Sequence, residues 1–200
     1  MRRFISLLFA IALLSSCAGS PYAESQKYER LRDYRGDGFG YAVVSVGVLK
    51  SALFTSTSLG FIELATRSPG VFGYAPKLLV GDRTPRDFDS PVQEGTIAVR
   101  RLPPGDYEIT GAGGVWLAGL NRVSKSIRFT PPVSFSIVTG KVSYLGSYVV
   151  GEDGNAVSGT ASLSVTDEQA RDLAVASSRV PSLDRTAVRS FVRSVEIHSP

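Results

Sequence analysis

The amino-acid sequence predicts a mainly β protein, a β-sandwich of about seven to nine antiparallel strands with one or two short C-terminal helices. Short segments in which apolar and polar residues alternate recur between residues 39 and 166, and this pattern is typical of strands. The 20 Gly and 11 Pro residues separate these segments as turn signals. After residue 166, apolar residues instead recur at helical spacing.

Residues 1–16 predict a secretory signal peptide. Arg2 and Arg3 form a positive segment ahead of the apolar run 4–14. A helix of that length is too short for the roughly 30 Å hydrocarbon core of a bilayer. No later apolar run reaches the about 18 residues that a membrane-spanning helix needs.

The end of this segment carries a lipidation motif. Leu14-Ser15-Ser16-Cys17-Ala18 resembles the lipobox of bacterial lipoproteins, and its Cys is the single one in the chain. The resemblance implies that Cys17 carries a diacylglyceryl thioether and an acylated amino group, and that Ala18 directs the protein to the outer membrane. Residues 17–38 are then a lipidated tether of mixed charge. An ordinary cleaved signal with an unmodified Cys is the alternative.

The predicted sandwich occupies residues 39–166. Both alternating sets in 39–50 are apolar, which indicates a strand buried on both faces. The glycine-rich stretch 111–114 predicts a turn or bulge. The further predicted strands are 61–66, 77–81, 96–102, 107–110, 115–120, 126–129, 133–137, 141–150 and 159–165.

Two stretches of this region resemble known β-sandwich sequences. Leu102-Pro103-Pro104-Gly105-Asp106-Tyr107-Glu108-Ile109 is similar to the strand–turn–strand hairpin of carboxypeptidase-regulatory, transthyretin-like domains. The stretch 135–146, which contains Gly140-Lys141, is similar to a strand pair of bacterial lipoproteins of unknown function. These resemblances imply two hairpins and a sandwich fold, and they supply no catalytic residue.

Residues 167–200 predict a helical segment packed on the sandwich. Thr166 is placed to cap a first helix, and Pro181 ends it before Ser182 caps a second. On this second helix, three basic residues recur at i, i+4 and i+8: Arg185, Arg189 and Arg193. They are candidate contacts for an anionic partner, such as lipid headgroups, a glycan carboxylate or an acidic protein. We favour the plainer interpretation, a solvated helix face.

Composition excludes several kinds of chemistry. One Cys cannot form a disulfide within the chain, and one Cys with one His cannot form a Cys/His zinc site. We expect the single His, His198, to be exposed and chemically idle near the end of the sequence, and not to be part of a Ser-His-Asp triad. Asp82, Asp87 and Asp89 lie close together but alternate with arginines, so we expect a solvated loop rather than a calcium site. We expect the aromatic residues Tyr107, Trp116 and Tyr144 to fill the core rather than form a sugar-stacking platform.

These observations favour a protein without catalytic residues, cofactor or metal. The formal net charge of +4 falls to +2 once Arg2 and Arg3 are removed, which gives no case for nucleic acid. We expect an outer-membrane lipoprotein that faces the periplasm and acts as a binding or envelope-structural module with a protein or glycan partner. The alternatives are a cell-wall glycan or peptide hydrolase that uses Asp and Glu groups, and a surface-exposed adhesin or antigen.

Overall fold

The structure, a computed structural model, describes residues 31–32, 34–75, 84–118, 121–153, 159–192 and 195–198. For residues 117, 118, 121 and 195–198 it describes the backbone alone. The predicted signal peptide, Cys17, most of the tether and the predicted strand 77–81 lie outside the described residues.

Eleven strands and one complete helix are found in the described residues, and Leu31 and Arg32 are also helical. In chain order they are β1 (Gly40–Leu49), β2 (Ser56–Glu63), β3 (Pro69–Tyr74), β4 (Phe88–Asp89), β5 (Gln93–Leu102), β6 (Gly105–Ala118), β7 (Asn121–Ile137), β8 (Val142–Asp153), β9 (Thr160–Thr166), α1 (Gln169–Arg179), β10 (Val188–Ser190) and β11 (Val195–His198).

The described strands form two sheets, which confirms the predicted mainly β, sandwich-like fold. The large sheet has seven strands in the order β11-β9-β8-β1-β5-β4, and β10 pairs with β8 beside β9. The small sheet has four strands in the order β3-β2-β6-β7. Most pairs are antiparallel, but β1 pairs with β8 in parallel, as does β10 with β8. The expectation of a purely antiparallel sandwich is therefore corrected.

The main core lies between the two sheets. Val44 and Val46 of β1 enter it from the large sheet, and Phe61 of β2 stacks on Phe72 of β3 with ring centroids 4.7 Å apart. Burying one such side chain contributes roughly 1.5–3 kcal/mol. Leu31, which the sequence places in the tether, is fully buried in the same core. The folded unit therefore begins before β1.

Helix α1 covers the opposite face of the large sheet. Leu173 and Ala176 form a second apolar cluster with Val43 of β1, Ile97 of β5 and Tyr144 of β8. The described part of the chain thus has three layers: the small sheet, the large sheet and the helix.

The two predicted hairpins are wrong. β5 belongs to the large sheet and β6 to the small one, so the Pro103–Gly105 turn crosses between the sheets. The Tyr107 hydroxyl, buried, donates to the Pro103 carbonyl at 2.7 Å and holds this turn. The turn before β8 also crosses between the sheets, with Gly140 at φ 71°. Turn residues bend the chain without deciding which sheet the next strand joins.

Two of the strands are longer than predicted. The predicted strand 107–110 and residues 115–118 of the predicted strand 115–120 belong to β6, while residues 119 and 120 lie outside the described residues. The predicted strands 126–129 and 133–137 are parts of β7. The glycine stretch 111–114 does not interrupt β6, because β2 and β7 pair with it on both sides. It does coincide with a register shift between Ile109 and Gly111, which agrees with the predicted bulge.

The predicted second C-terminal helix is also wrong. Residues after Pro181 form a turn held by Asp184, whose carboxylate accepts hydrogen bonds from Thr186, and then β10. β10 pairs with Val142–Tyr144, the part of β8 that β9 leaves uncovered. This unpaired length of strand edge explains why the segment is extended rather than helical.

Candidate functional site

The outer face of the small sheet carries a recess of about 350 Å³. It lies where β2, β6 and β7 run side by side. Most of its lining residues are short or lack a side chain, and these include Ser58, Gly60, Gly111, Gly113 and Ser126; Arg128 also lines it.

Register explains the shape of this recess. Gly113 of β6 lies between Ser58 of β2 and Ser126 of β7, and two residues along, Gly111 lies between Gly60 and Arg128. Because Gly111 and Gly113 have no side chain, main-chain atoms form the floor of the recess. Close approach of the neighbouring strand also requires glycine: an ideal Cβ at Gly111 would lie 2.4 Å from the carbonyl oxygen of residue 127.

The chemistry of the recess is that of hydrogen bonding. Hydroxyl groups come from Ser58, Ser124, Ser126 and Thr110. The lining also includes two cationic residues, the exposed Arg128 and Lys125, and the ammonium group of Lys125 is paired with Glu152. The lining residues include no Asp, Glu or His. Hydroxyl and main-chain groups of this kind can bind a polar group through hydrogen bonds.

The structure does not bring the predicted site residues together on a helix. Arg185 is exposed in the turn before β10, and Arg189 is exposed in β10. Arg193 and Cys17 lie outside the described residues. The prediction that the three arginines form a stripe on a helix is therefore wrong, because the segment that carries Arg189 is a strand.

In the loop that contains Asp82, Asp87 and Asp89, the described carboxylates are paired with cations. Asp87 accepts hydrogen bonds from Thr96 and the Ile97 amide and is paired with Arg179. Asp89 is paired with Lys50 and Arg86, and these cations hold its pKa below the usual range. Asp82 lies outside the described residues.

Within the described ranges, no three His, Cys, Asp or Glu side chains are grouped as metal ligands.

The three aromatic residues that the sequence predicts to lie in the core are buried. Tyr107 and Tyr144 have no exposed surface, and Trp116 is 4% exposed. Lys125 lies 5.0 Å from the Trp116 ring and forms an ion pair with Glu152 at 2.5 Å.

Sequence analysis missed a buried carboxylate under α1. Asp172 is fully buried and accepts hydrogen bonds from Ser45 at 2.6 Å, from Tyr144 at 2.9 Å and from Arg171 at 2.8 Å. Burial raises the pKa of Asp172 above its ordinary value. Its position beside Leu173 and four residues before Ala176, on the apolar face of α1, was the sequence signal.

This network fixes the helix to the sheet. Tyr144 donates to Asp172 and accepts from the backbone amide of Glu168, so one hydroxyl joins β8 to the beginning of α1. Burial, followed by the charge of Asp172, raises the pKa of Tyr144. Because the carboxylate has no exposed surface, the group acts in packing rather than as a reactive centre.

Comparison with known proteins identifies no family. No protein-family model and no curated protein matches the chain. A leucine-rich repeat protein from Bacteroides thetaiotaomicron VPI-5482 is similar in structure, at 11% identity and a TM-score of 0.32 over 54% of this chain and 13% of that one. The match spans about an eighth of that protein. Within the described ranges, no helix combines the length and apolarity needed to cross a bilayer.

Proposed function

We propose that the chain is an outer-membrane lipoprotein, anchored through Cys17, whose periplasmic sandwich binds a polar envelope ligand without catalysis. The lipobox-like motif at Cys17 supports the anchor. The recess on the small sheet supports the binding role, and it is the observation on which the proposal chiefly depends.

Two features of the recess favour binding. Its lining places main-chain groups and several hydroxyls beside the guanidinium of Arg128, so it offers donors and acceptors for a glycan or an extended peptide. Its lining residues contain no carboxylate pair, which a hydrolase of the Asp/Glu type would require. Elsewhere, Asp87 and Asp89 are neutralised by cations.

The anchor is tested by Cys17→Ser. Fatty chains contribute about 0.8 kcal/mol per buried CH₂ group, so the wild-type protein stays with membranes after a high-salt wash. We expect the variant to be released or to accumulate as unprocessed precursor, and intact-mass spectrometry of wild type to show added lipid mass. A wild-type product without that mass would contradict the anchor. Protease treatment of intact cells then separates a periplasmic from a surface location.

The recess is tested with a matched pair of substitutions on β7. Ser126→Trp fills the recess, whereas Ser134→Trp places the same side chain on the same outward face of β7 but outside the recess. Both serines are exposed, so we expect both variants to fold. Co-sedimentation with purified peptidoglycan, and cross-linking in intact envelopes, measure glycan and protein partners in turn. Loss of binding by Ser126→Trp but not by Ser134→Trp supports the proposal. Equal binding by the wild type and both variants contradicts it.

A further inference from the structure

Strand β7 lies at one end of the small sheet, and no described strand pairs with its outer edge. Contacts with β6 show which of its main-chain groups are already used. An ideal Cβ at Gly111 would lie 2.4 Å from the carbonyl oxygen of Ile127, and one at Gly113 would lie 2.6 Å from that of Lys125. The main-chain groups of residues 125 and 127 therefore point toward β6.

The residues between and beside these two direct their main-chain groups to the free edge. Successive residues of an antiparallel strand point their N–H and C=O groups to opposite edges, so this edge belongs to Arg122, Ser124, Ser126 and Arg128. All four side chains are exposed. Three of the four, all except Arg122, also line the recess. A chain laid along the free edge would therefore lie beside the recess.

Proline limits the length of this edge. Pro131 and Pro132 have no N–H group, so the row of donors ends before residue 131 and the open part is about ten residues long. A short edge that ends in proline resists pairing with the long strands of other chains. An extended peptide of matching length can still add one strand to the sheet, with its main-chain hydrogen bonds supplying affinity.

Charge selects among such peptides. Arg122 and Arg128 are exposed and have no ion-pair partner among the described residues. The stretch 121–130 contains no Asp or Glu. Its third cation, Lys125, is largely buried and already paired with Glu152. Two arginines that lack partners thus lie at the two ends of the open edge, and an opposite charge across from each of them would stabilise a strand pair.

We propose that the free edge of β7 binds an extended acidic segment of another protein as an additional strand. This proposal names the class of the ligand proposed above and therefore rests on the binding role of the small sheet. A glycan has no row of N–H and C=O groups with the spacing of a strand, so the edge favours a peptide over a glycan.

The positions of the two arginines predict the spacing of the acidic residues in the bound segment. Arg122 and Arg128 are six residues apart, which is about 20 Å along a strand. The residues opposite them are also six apart, whichever way the segment runs. Because side chains alternate between faces, residues i and i+6 lie on the same face. The segment should therefore carry carboxylates at i and i+6.

Synthetic peptides test this spacing. Full-length protein in a maltoside detergent is titrated at low ionic strength with fluorescein-labelled, threonine-rich peptides of nine residues, and fluorescence anisotropy measures binding. The first peptide has glutamate at positions 2 and 8, the second has glutamate at positions 2 and 7, and the third has lysine at positions 2 and 8. We expect saturable binding of the first peptide, weakened by added salt. Binding of the second should be about threefold weaker, and binding of the third at least about tenfold weaker.

Substitutions on β7 assign the binding to this edge. Arg122→Gln and Arg128→Gln should each weaken binding of the first peptide by about threefold and remove its advantage over the second peptide. The control Arg101→Gln removes an exposed arginine of the large sheet and should leave binding unchanged. An unchanged circular-dichroism spectrum and melting temperature confirm that each variant folds.

N-methylation of the peptide tests main-chain pairing without altering the protein. A paired segment points the amides of alternate residues toward β7 and the others away from it. Two versions of the first peptide are methylated on the amides of even or of odd positions. In antiparallel pairing, residues opposite Arg122 and Arg128 point their amides toward β7, so the even version should lose binding and the odd version should retain it. In parallel pairing the odd version should lose binding instead, and equal affinities of the two versions would contradict strand pairing.

Three further results would overturn the proposal: no saturable binding of the first peptide, equal binding of all three peptides, or equal affinities of wild type and both arginine variants. Light scattering of the protein without peptide tests another occupant, because a dimer that binds no peptide would assign the edge to a second copy of this chain. Peptidoglycan binding that Ser126→Trp abolishes, together with no peptide binding, would support the proposed binding role and overturn this inference alone.

Discussion

The outer faces of the two sheets differ in what covers them. The large sheet is covered by α1, and the buried carboxylate of Asp172 joins the helix to the sheet. The small sheet presents serines, glycines and Arg128 on its outer face, and no described helix covers it. Apolar side chains require cover from water, whereas hydroxyl and main-chain groups do not. The covered face therefore stabilises the fold, and the outer face of the small sheet is the one that we propose binds a ligand.

The largest expected effect concerns the covered face. Asp172→Ala leaves the hydroxyls of Ser45 and Tyr144 without their acceptor and removes the ion-pair partner of Arg171. We expect the free energy of unfolding to fall by about 3 kcal/mol, as when one member of a buried polar pair is removed. Urea denaturation followed by circular dichroism measures the change.

A matched control is available on the small sheet. Asp106, in β6, is exposed, and Asp106→Ala should change the free energy of unfolding by less than about 0.5 kcal/mol. Equal losses in the two variants would show that the network under α1 contributes no more than a surface charge.

Much of the fold could be predicted because its signals are local. Alternation between residues 39 and 50 predicts β1, and two apolar sets predict its burial on both faces. The prediction of a second C-terminal helix was wrong for a non-local reason. Val188 pairs with Val142, so β10 depends on the uncovered edge of β8 and not on its own periodicity.

The recess could not be predicted from sequence. The stretch 111–114 indicates a bulge, but the sequence does not reveal that Ser58 and Ser126 lie on either side of Gly113. That arrangement depends on the pairing register of three strands separated along the chain. The turn at Pro103–Gly105, which crosses between the two sheets, could not be predicted for a similar reason. The packing of the strand that follows it, and not the turn itself, decides which sheet that strand joins.

A smaller effect should separate the two faces of the small sheet. Gly114 points into the main core, where an ideal Cβ would lie 2.4 Å from Cγ of the buried Phe54 ring. We expect Gly114→Ala to lower the free energy of unfolding by about 1–3 kcal/mol through overpacking. At Gly60, in the recess, the nearest atom to such a Cβ is the Thr110 hydroxyl at 3.4 Å.

Gly60→Ala is therefore expected to change the free energy of unfolding by no more than about 0.5 kcal/mol. Thermal and urea denaturation of the two variants side by side measure the contrast. If Gly60→Ala destabilises the protein as strongly as Gly114→Ala, the outer face of the small sheet is packed against something and is not open.

The smallest expected effect is a dependence of stability on pH at the covered face. Burial raises the folded-state pKa of Asp172 above its unfolded value of about 3.9. Between these two pKa values the folded state holds a proton that the unfolded state has released, so stability falls as pH rises through this window. The slope is at most about 1.4 kcal/mol per pH unit for one proton.

Asp172→Asn removes this proton and provides the measurement. We expect the difference in unfolding free energy, wild type minus variant, to decrease as pH rises from below 4 and to become constant above the folded-state pKa. Urea denaturation in a series of buffers gives this difference directly. A difference that instead grows with pH would show that Arg171 and the hydroxyls of Ser45 and Tyr144 stabilise the carboxylate by more than burial disfavours it, because a lowered folded-state pKa reverses the sign of the slope.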